Sequence, residues 1–443
     1  MKLTAVALAL VAITPLLLAP ARARAQAVGG EPSADATVDL GTVPVTGAAA
    51  AELPRLAVMS LVTRSDAETT LQLVVRGDLD RAGAWSVLAD GDGAPGPLFA
   101  DAPFDPAPWR AKGVSVVVRT TATALPGDRV ELAAQAFFPA RGKAPAFEHR
   151  DAVEIAATRT AAHRASDALL RALTGRAGGF ASEMVFGARV GSGRQVFAID
   201  ADGFHLHAVS PEGATAVAPA LGPGGEVFYG LSRDRSPFDL VRGPSATRVP
   251  LPWPGSVLGV AFSPDRARIA VAVASDATSV VYTGAPDLAR LEPSSTALLA
   301  THPALGPGGH LAYVAGGQAG QRIYVDGKAI SPPGYSAAAP AFCDGPDGLA
   351  VVYAVRVGRD SDLFRSDLRG GGLTRLTQGQ GSNAYPACSP DGRLLAYFST
   401  RAGDKGPGLY VVPLASPGRS RRISSEVGES LRWEALPDES TPR

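Results

Sequence analysis

Residues 386–397 read Pro386-Ala-Cys-Ser-Pro-Asp-Gly-Arg-Leu-Leu-Ala-Tyr397. A short apolar run ends in Ser-Pro-Asp-Gly, and a second apolar run closing on an aromatic follows at once. Proline presets φ and glycine supplies the positive φ of a tight turn, so the stretch predicts two antiparallel strands joined by that turn. The plan recurs. Pro303-Ala-Leu-Gly-Pro-Gly-Gly-His-Leu-Ala-Tyr313 and Pro219-Ala-Leu-Gly-Pro-Gly-Gly-Glu-Val-Phe-Tyr229 carry it with a Gly-Pro-Gly-Gly turn, and Val260-Ala-Phe-Ser-Pro-Asp-Arg-Ala-Arg-Ile-Ala-Val271 is a fourth copy. Pro340-Ala-Phe-Cys343, continuing through Gly348-Leu-Ala-Val-Val-Tyr353, is a fifth with an insertion, and Leu431-Arg-Trp433 is a truncated sixth. Two further strands complete each unit, as at 408–414 and 421–424 after the quoted stretch. Four strands in about 42 residues is the period of a propeller blade. Six copies therefore predict a six-bladed β-propeller over 181–437. Trp433 supplies the inner strand that closes the ring onto strands at 195–200 and 204–209, leaving no open sheet edge.

Composition agrees. The 443 residues include 50 Gly and 37 Pro, while aromatics are 6% and apolar residues 46%. That density of helix breakers excludes a helical bundle, and the apolar content excludes an extended disordered chain. Lys plus Arg (42) balances Asp plus Glu (42), so no overall field draws nucleic acid or an anionic membrane.

Ahead of the repeats, Lys2, an apolar stretch at 3–20 and small residues at alternating positions in Ala21-Arg22-Ala23-Arg24-Ala25-Gln26-Ala27 have the pattern of an export signal over 1–25. Proline breaks that stretch, which makes it a poor membrane anchor. Residues 28–52 read as a mobile arm. A small α+β domain is expected over 53–176. It contains a strand at 55–61, a helix opened by the capping box Ser65-x-x-Glu68 and running to about Arg76, strands at 114–120 and 130–138, and a helix at 161–173 stopped by Thr174-Gly175.

This order of segments resembles the TolB family, the periplasmic component of the Tol–Pal envelope system. Gly77-Asp-Leu-Asp-Arg-Ala-Gly-Ala-Trp85 and Trp109-Arg-Ala-Lys-Gly-Val-Ser-Val-Val-Val118 are similar to stretches of that family's first domain. Ala162-His-Arg-Ala-Ser-Asp-Ala-Leu-Leu-Arg-Ala-Leu-Thr-Gly-Arg-Ala-Gly-Gly-Phe180 is similar to its inter-domain helix and Gly-x-Phe hinge, and Phe197-Ala-Ile-Asp-Ala-Asp-Gly203 to its first propeller hairpin. The likeness covers about 55–436. It implies an exported, monomeric interaction scaffold without cofactor or metal, which binds a Pal-like peptidoglycan-associated lipoprotein and serves envelope integrity and cell division. It also implies contact with a TolA-like inner-membrane protein through the arm at 28–52, which would dock against the junction at 173–182 or be released from it.

Chemistry leaves little trace. The sequence holds no Gly-x-Ser-x-Gly elbow and no phosphate-cradling loop followed by Lys-Ser/Thr. Propeller-bearing peptidases carry a further hydrolase domain, for which the seven residues after Leu436 leave no room. His205 and His207 read as strand histidines rather than metal ligands, Asp90-Gly-Asp92-Gly as a turn rather than a calcium loop, and His163 as a packing or capping residue. Cys343 and Cys388, at offsets three and two in neighbouring repeats, read as two buried free thiols with side chains on different faces; a disulfide is the alternative. No catalytic residue is expected.

Residues just before each repeat line one mouth of the propeller funnel. They include Val217 and Ala218, Leu258 and Gly259, and Ser430. The likeness implies Thr301, His302, Tyr335, Ser336, Ser382, Asn383, Tyr385 and Glu429 as the lipoprotein interface. Competing readings are an exported propeller that binds a small ligand or glycan, and a lyase or hydrolase sited in the funnel.

Overall fold

The computed structural model describes residues 53–435, except 90–94, 96–97, 100, 298, 318–319 and 404. The expected export signal, the arm and the turn at 90–93 lie outside the described residues.

A five-stranded sheet forms the first domain, in the order Ser86–Val87, Arg55–Val58, Val114–Leu125, Arg129–Phe137, Phe147–Glu154. Helices α1 (Asp66–Arg81) and α3 (Thr158–Thr174) pack together on one face, over Val130, Leu132, Ala134 and Ala136; α2 (Ala107–Ala111) buries Trp109 in the cluster on the other. Ser65 Oγ accepts the Glu68 N–H at 3.2 Å, and Glu68 reaches back to the N–H of Arg64 at 2.7 Å rather than to that of Ser65. Helix α1 runs five residues beyond the expected Arg76. Its inward face continues past Gly77 with Asp78 and Leu79, both fully buried, which offsets the cost of a glycine inside a helix. Gly175, at φ 79°, stops α3.

The described residues that follow form six blades of four strands, the first two linked by a single pairing of Arg194 with Thr215. Blade 1 joins Ser182–Val190, Gly193–Asp200 and His207–Ala208 to the last described strand, Glu429–Ala435, with Trp433 opposite Met184. The ring is thereby closed between the two ends of the propeller, as the repeats predict, but onto Ser182–Val190 and not directly onto the expected strands at 195–200 and 204–209, the second of which shortens to His207–Ala208. Blades 2 to 6 begin on the inner strands Thr215–Leu221, Ser256–Phe262, Thr301–Leu305, Ala337–Gly345 and Asn383–Cys388.

A β-bulge interrupts every inner strand at one position. In five blades two residues face one across the ladder: Ala218-Pro219, His302-Pro303, Ala339-Pro340, Tyr385-Pro386 and Ser430-Leu431 stand opposite Tyr229, Tyr313, Tyr353, Tyr397 and Phe186. In blade 3 the extra residue is Leu258. The first bulged residue has φ between 48° and 54° in all five. The repeated proline is now explained: inside a strand it is tolerated at the bulge, where the ladder needs no N–H. The repeated aromatic fills the space under the bulge, and all five are at most 1% exposed.

The cysteines correct the sequence reading. Cys343 and Cys388 form a disulfide, with Cα atoms 5.4 Å apart. Opposite-face placement is what brings them together, because neighbouring blades pack one blade's front on the next blade's back. Cys343 with Val352 and Ala354 meets Cys388 with Leu395 and Tyr397 in one buried cluster. Opposite faces separate two residues of one sheet but join residues of two packed sheets.

The first domain sits on the propeller at the turns between inner and second strands and between third and fourth strands. Arg176 donates to the Asp344 carbonyl, Arg393 to Thr174 Oγ1 at 2.7 Å, and Arg421 bonds Asp80. A single apolar cluster runs through the junction, joining Leu79, Leu169 and Leu170 to Phe180, Leu394 and Trp433.

Candidate functional site

The bulges lie at the opposite end of the inner strands from the first domain, so the open mouth of the channel is built from their left-handed residues. Ala218, Leu258, Gly259, His302, Tyr385 and Ser430 converge there. The His302 and Tyr385 ring centroids are 6.5 Å apart. Burial, helped by the Arg432 charge below it, pushes the His302 imidazole down to about 4, so it stands neutral at physiological pH. Its Nδ1 meets Thr301 Oγ1 at 3.2 Å. Glu429 is tied to Arg194 at 2.9 Å on the same rim.

Other residues expected at the interface divide. Ser336 and Ser382 line a cleft of about 300 Å³ that opens beside Tyr385 between blades 5 and 6. Tyr335 packs half-buried against the blade 4–5 core. Asn383 is not available to a partner. It is 0% exposed, and its amide donates to the Gly381 carbonyl at 3.1 Å and to Asp362 at 3.4 Å. Asp362 also accepts from Thr377 and Arg375. Asn383 holds the loop that carries Ser382, and that is a supporting role.

Sequence reading passed over two cleft residues, Arg356 and Arg359, and a lower chamber. The arginines flank Gly358 in the hairpin between Gly348–Val357 and Asp360–Ser366. Two basic residues around a turn glycine were the available signal. Below the mouth, Arg432 lines both the upper cavity and a chamber of about 290 Å³ on the side of the first domain, and its Nη2 donates to the Pro303 carbonyl at 2.7 Å. Glu434 pairs with Arg266 at 2.6 Å in that chamber. Arg266, at φ 59°, occupies the turn position that Gly225, Gly309 and Gly392 fill in other blades.

His205 leaves the strand in a left-handed turn and bonds Asp200 at 2.7 Å, while His207 Nδ1 meets the His205 carbonyl at 2.8 Å; the two do not share a ligating face. At the domain junction Asp78, His163 and Asp202 bring their polar atoms within 4.8 Å of one another. Arg81 lies 2.8 Å from Asp78 and Arg159 bonds Asp202, so guanidinium groups already occupy both carboxylates and the cluster reads as an ion-pair network.

Fold and mouth define a class: a closed six-bladed propeller with an α+β domain over one face and a bulge-lined opening on the other. Residues 41–137 match the family model of the TolB amino-terminal domain. Curated relatives include the Tol-Pal system protein TolB of Geobacter metallireducens, 27% identical over 149 residues, which are 34% of this chain and 34% of that protein. An uncharacterized protein of Agrobacterium fabrum is 38% identical over 66 residues, 14% of this chain and 22% of its own length. The chain thus spans about a third or less of the length of these relatives. Among solved structures, TolB from Acinetobacter baumannii superposes with a TM-score of 0.70 at 19% identity, over 86% of this chain and 96% of that one. The match over residues 41–137 and the superposition over most of the chain support its resemblance to the TolB family.

Proposed function

We propose that the chain is a non-catalytic interaction scaffold of a Tol–Pal-type envelope system, working in the periplasm after export. Its bulge-lined mouth binds a Pal-like peptidoglycan-associated lipoprotein, and the arm at 28–52 contacts a TolA-like inner-membrane protein. One observation carries the reading. The left-handed residues of the inner strands, His302 and Tyr385 among them, gather at the channel mouth on the face that the first domain leaves open. Non-glycine residues held in this region cost of order 1 kcal/mol or more each, and such strain concentrates where a surface is shaped for a partner. Tyrosine at the centre of a mouth supplies large contact area with few rotatable bonds.

The test is capture of the soluble domain of the Pal-like lipoprotein from the same cell by the purified chain. Tyr385→Ala is expected to weaken capture by roughly thirtyfold, the scale of a hot-spot tyrosine, while thermal unfolding changes little. Undiminished capture by Tyr385→Ala and His302→Ala variants moves the interface away from the mouth. Fractionation with N-terminal sequencing of the recovered protein tests the export signal.

A further inference from the structure

The cleft beside Tyr385 differs from the mouth it adjoins. Its floor is four small side chains, Ala338, Ala339, Ala354 and Ala384, so a main chain can approach closely. Its wall carries Arg356 and Arg359, both exposed. One carboxylate shares the cleft, Asp360, which accepts from Ser382 Oγ at 3.0 Å and offsets one of the two arginine charges; Asp362 is held by Arg375, Thr377 and Asn383. Arg194 on the same rim is spent on Glu429. Among the described residues neither Arg356 nor Arg359 meets an acidic side chain. Beside the floor, bulges at 339–340 and 385–386 interrupt the ladder.

We infer that this cleft receives an extended acidic segment of the partner, its backbone lying on the alanine floor and its carboxylates paired with Arg356 and Arg359. This rests on reading the mouth as a partner-binding surface. Guanidinium and carboxylate match as bidentate, charge-assisted partners, and two arginines on one hairpin, three residues apart, suit side chains along an extended strand better than one compact anion.

The probe is a short labelled peptide alternating aspartate with serine, compared with its asparagine isostere, on the full chain by fluorescence anisotropy. Binding of the aspartate peptide is expected to fall roughly tenfold or more in R356E/R359E, as for loss of a complementary charge pair, and to weaken with added salt. R356Q/R359Q, which leaves no new charge, is expected to lose affinity less steeply and to keep the wild-type unfolding midpoint. Equal binding of the isostere, or unchanged binding in R356E/R359E, overturns the inference. Full displacement of the peptide by citrate at matched carboxylate concentration also overturns it, in favour of a small-anion site. The underlying reading fails separately. If the lipoprotein is captured equally by wild type and R356E/R359E, the cleft is wrong and the mouth stands; if the lipoprotein is not captured but the peptide binds through the arginines, the partner is wrong and the cleft stands.

Discussion

His163 Nδ1 lies 2.7 Å from Asp78 Oδ2, on a different helix and 85 residues away. Its other nitrogen faces Asp202 Oδ2 of the propeller at 3.6 Å. Arg81 and Arg159 flank the two carboxylates, and Asp200 stands 3.8 Å from Arg159. Burial alone would depress the imidazole, but Asp78 and then Asp202 outweigh it and hold its pKa above the usual value; His163 and Arg81 in turn hold Asp78 below its own, against burial. Once protonated, His163 adds a third cation to the Arg81 and Arg159 guanidinium groups that tie the first domain to Asp202 of the propeller.

The sign of the pH effect follows. A histidine whose folded pKa exceeds the unfolded value of about 6.5 contributes fully below that pH and loses its contribution as pH rises through the folded value. His163→Gln is expected to cost about 1–3 kcal/mol at pH 6, the scale of a buried hydrogen bond to a charged group, and less at pH 9. Urea unfolding at the two pH values measures this. An equal cost at both would show that the bridge does not depend on the proton.

Asp167 of α3 holds the linker to the propeller, its two carboxylate oxygens accepting the N–H groups of Phe180 and Ala181, each at 2.9 Å. Burial pushes its pKa up to about 7 against those two bonds, with Asp78 and Asp391 adding repulsion. An acid raised in the folded state stabilises fully below its unfolded pKa of about 3.9 and loses that contribution as pH climbs to about 7. Asp167→Asn keeps an acceptor and cannot ionise. It is expected to flatten stability against pH between about 4.5 and 8, so that the variant gains on wild type with rising pH. Parallel profiles for the two proteins would refute the assignment.

The disulfide closes a loop across blades 5 and 6, with a sequence separation of 45 residues. Loop-closure entropy puts its contribution at about 4 kcal/mol. Cys343→Ala/Cys388→Ala should lower the urea midpoint accordingly, and dithiothreitol should bring the wild type toward the variant without altering it. A midpoint that neither change moves would mean that the thiols are unbridged in solution.

What could be read from the sequence was what repeats. Ser-Pro-Asp-Gly and Gly-Pro-Gly-Gly announce the same turn after three of the inner strands, Ser-Pro-Asp-Arg a variant of it after a fourth, and a lone Trp433 sufficed to place the closing strand because its neighbours Leu431 and Arg432 keep the register of the other copies. Position along a repeat also located the mouth, since the residue before each proline faces it. Contacts between units were not legible. Asp362 lies 21 residues before Asn383 and accepts from its amide, His163 meets carboxylates from two other segments, and the cysteines meet across a blade boundary. Arg356 and Arg359 gain meaning only when the hairpin that carries them stands beside Tyr385.

The bulges make one more prediction, which separates strain from packing. Ala339 and Ala396 are both buried alanines of inner or second strands, at 8% and 0% exposure. Ala339 is held at φ 52°, a conformation that glycine adopts freely and alanine does not, whereas Ala396 pairs regularly with Ala387 and Val411. Ala339→Gly relieves the strained backbone while adding flexibility to the unfolded chain, so its net effect should lie between neutral and about 1 kcal/mol of stabilisation. Ala396→Gly gains nothing and should cost about 1 kcal/mol or more through backbone entropy and a lost methyl group. Denaturant unfolding of the two variants measures the difference. If both glycines destabilise alike, the left-handed residues of the inner strands carry no strain, and the mouth owes its shape to packing alone.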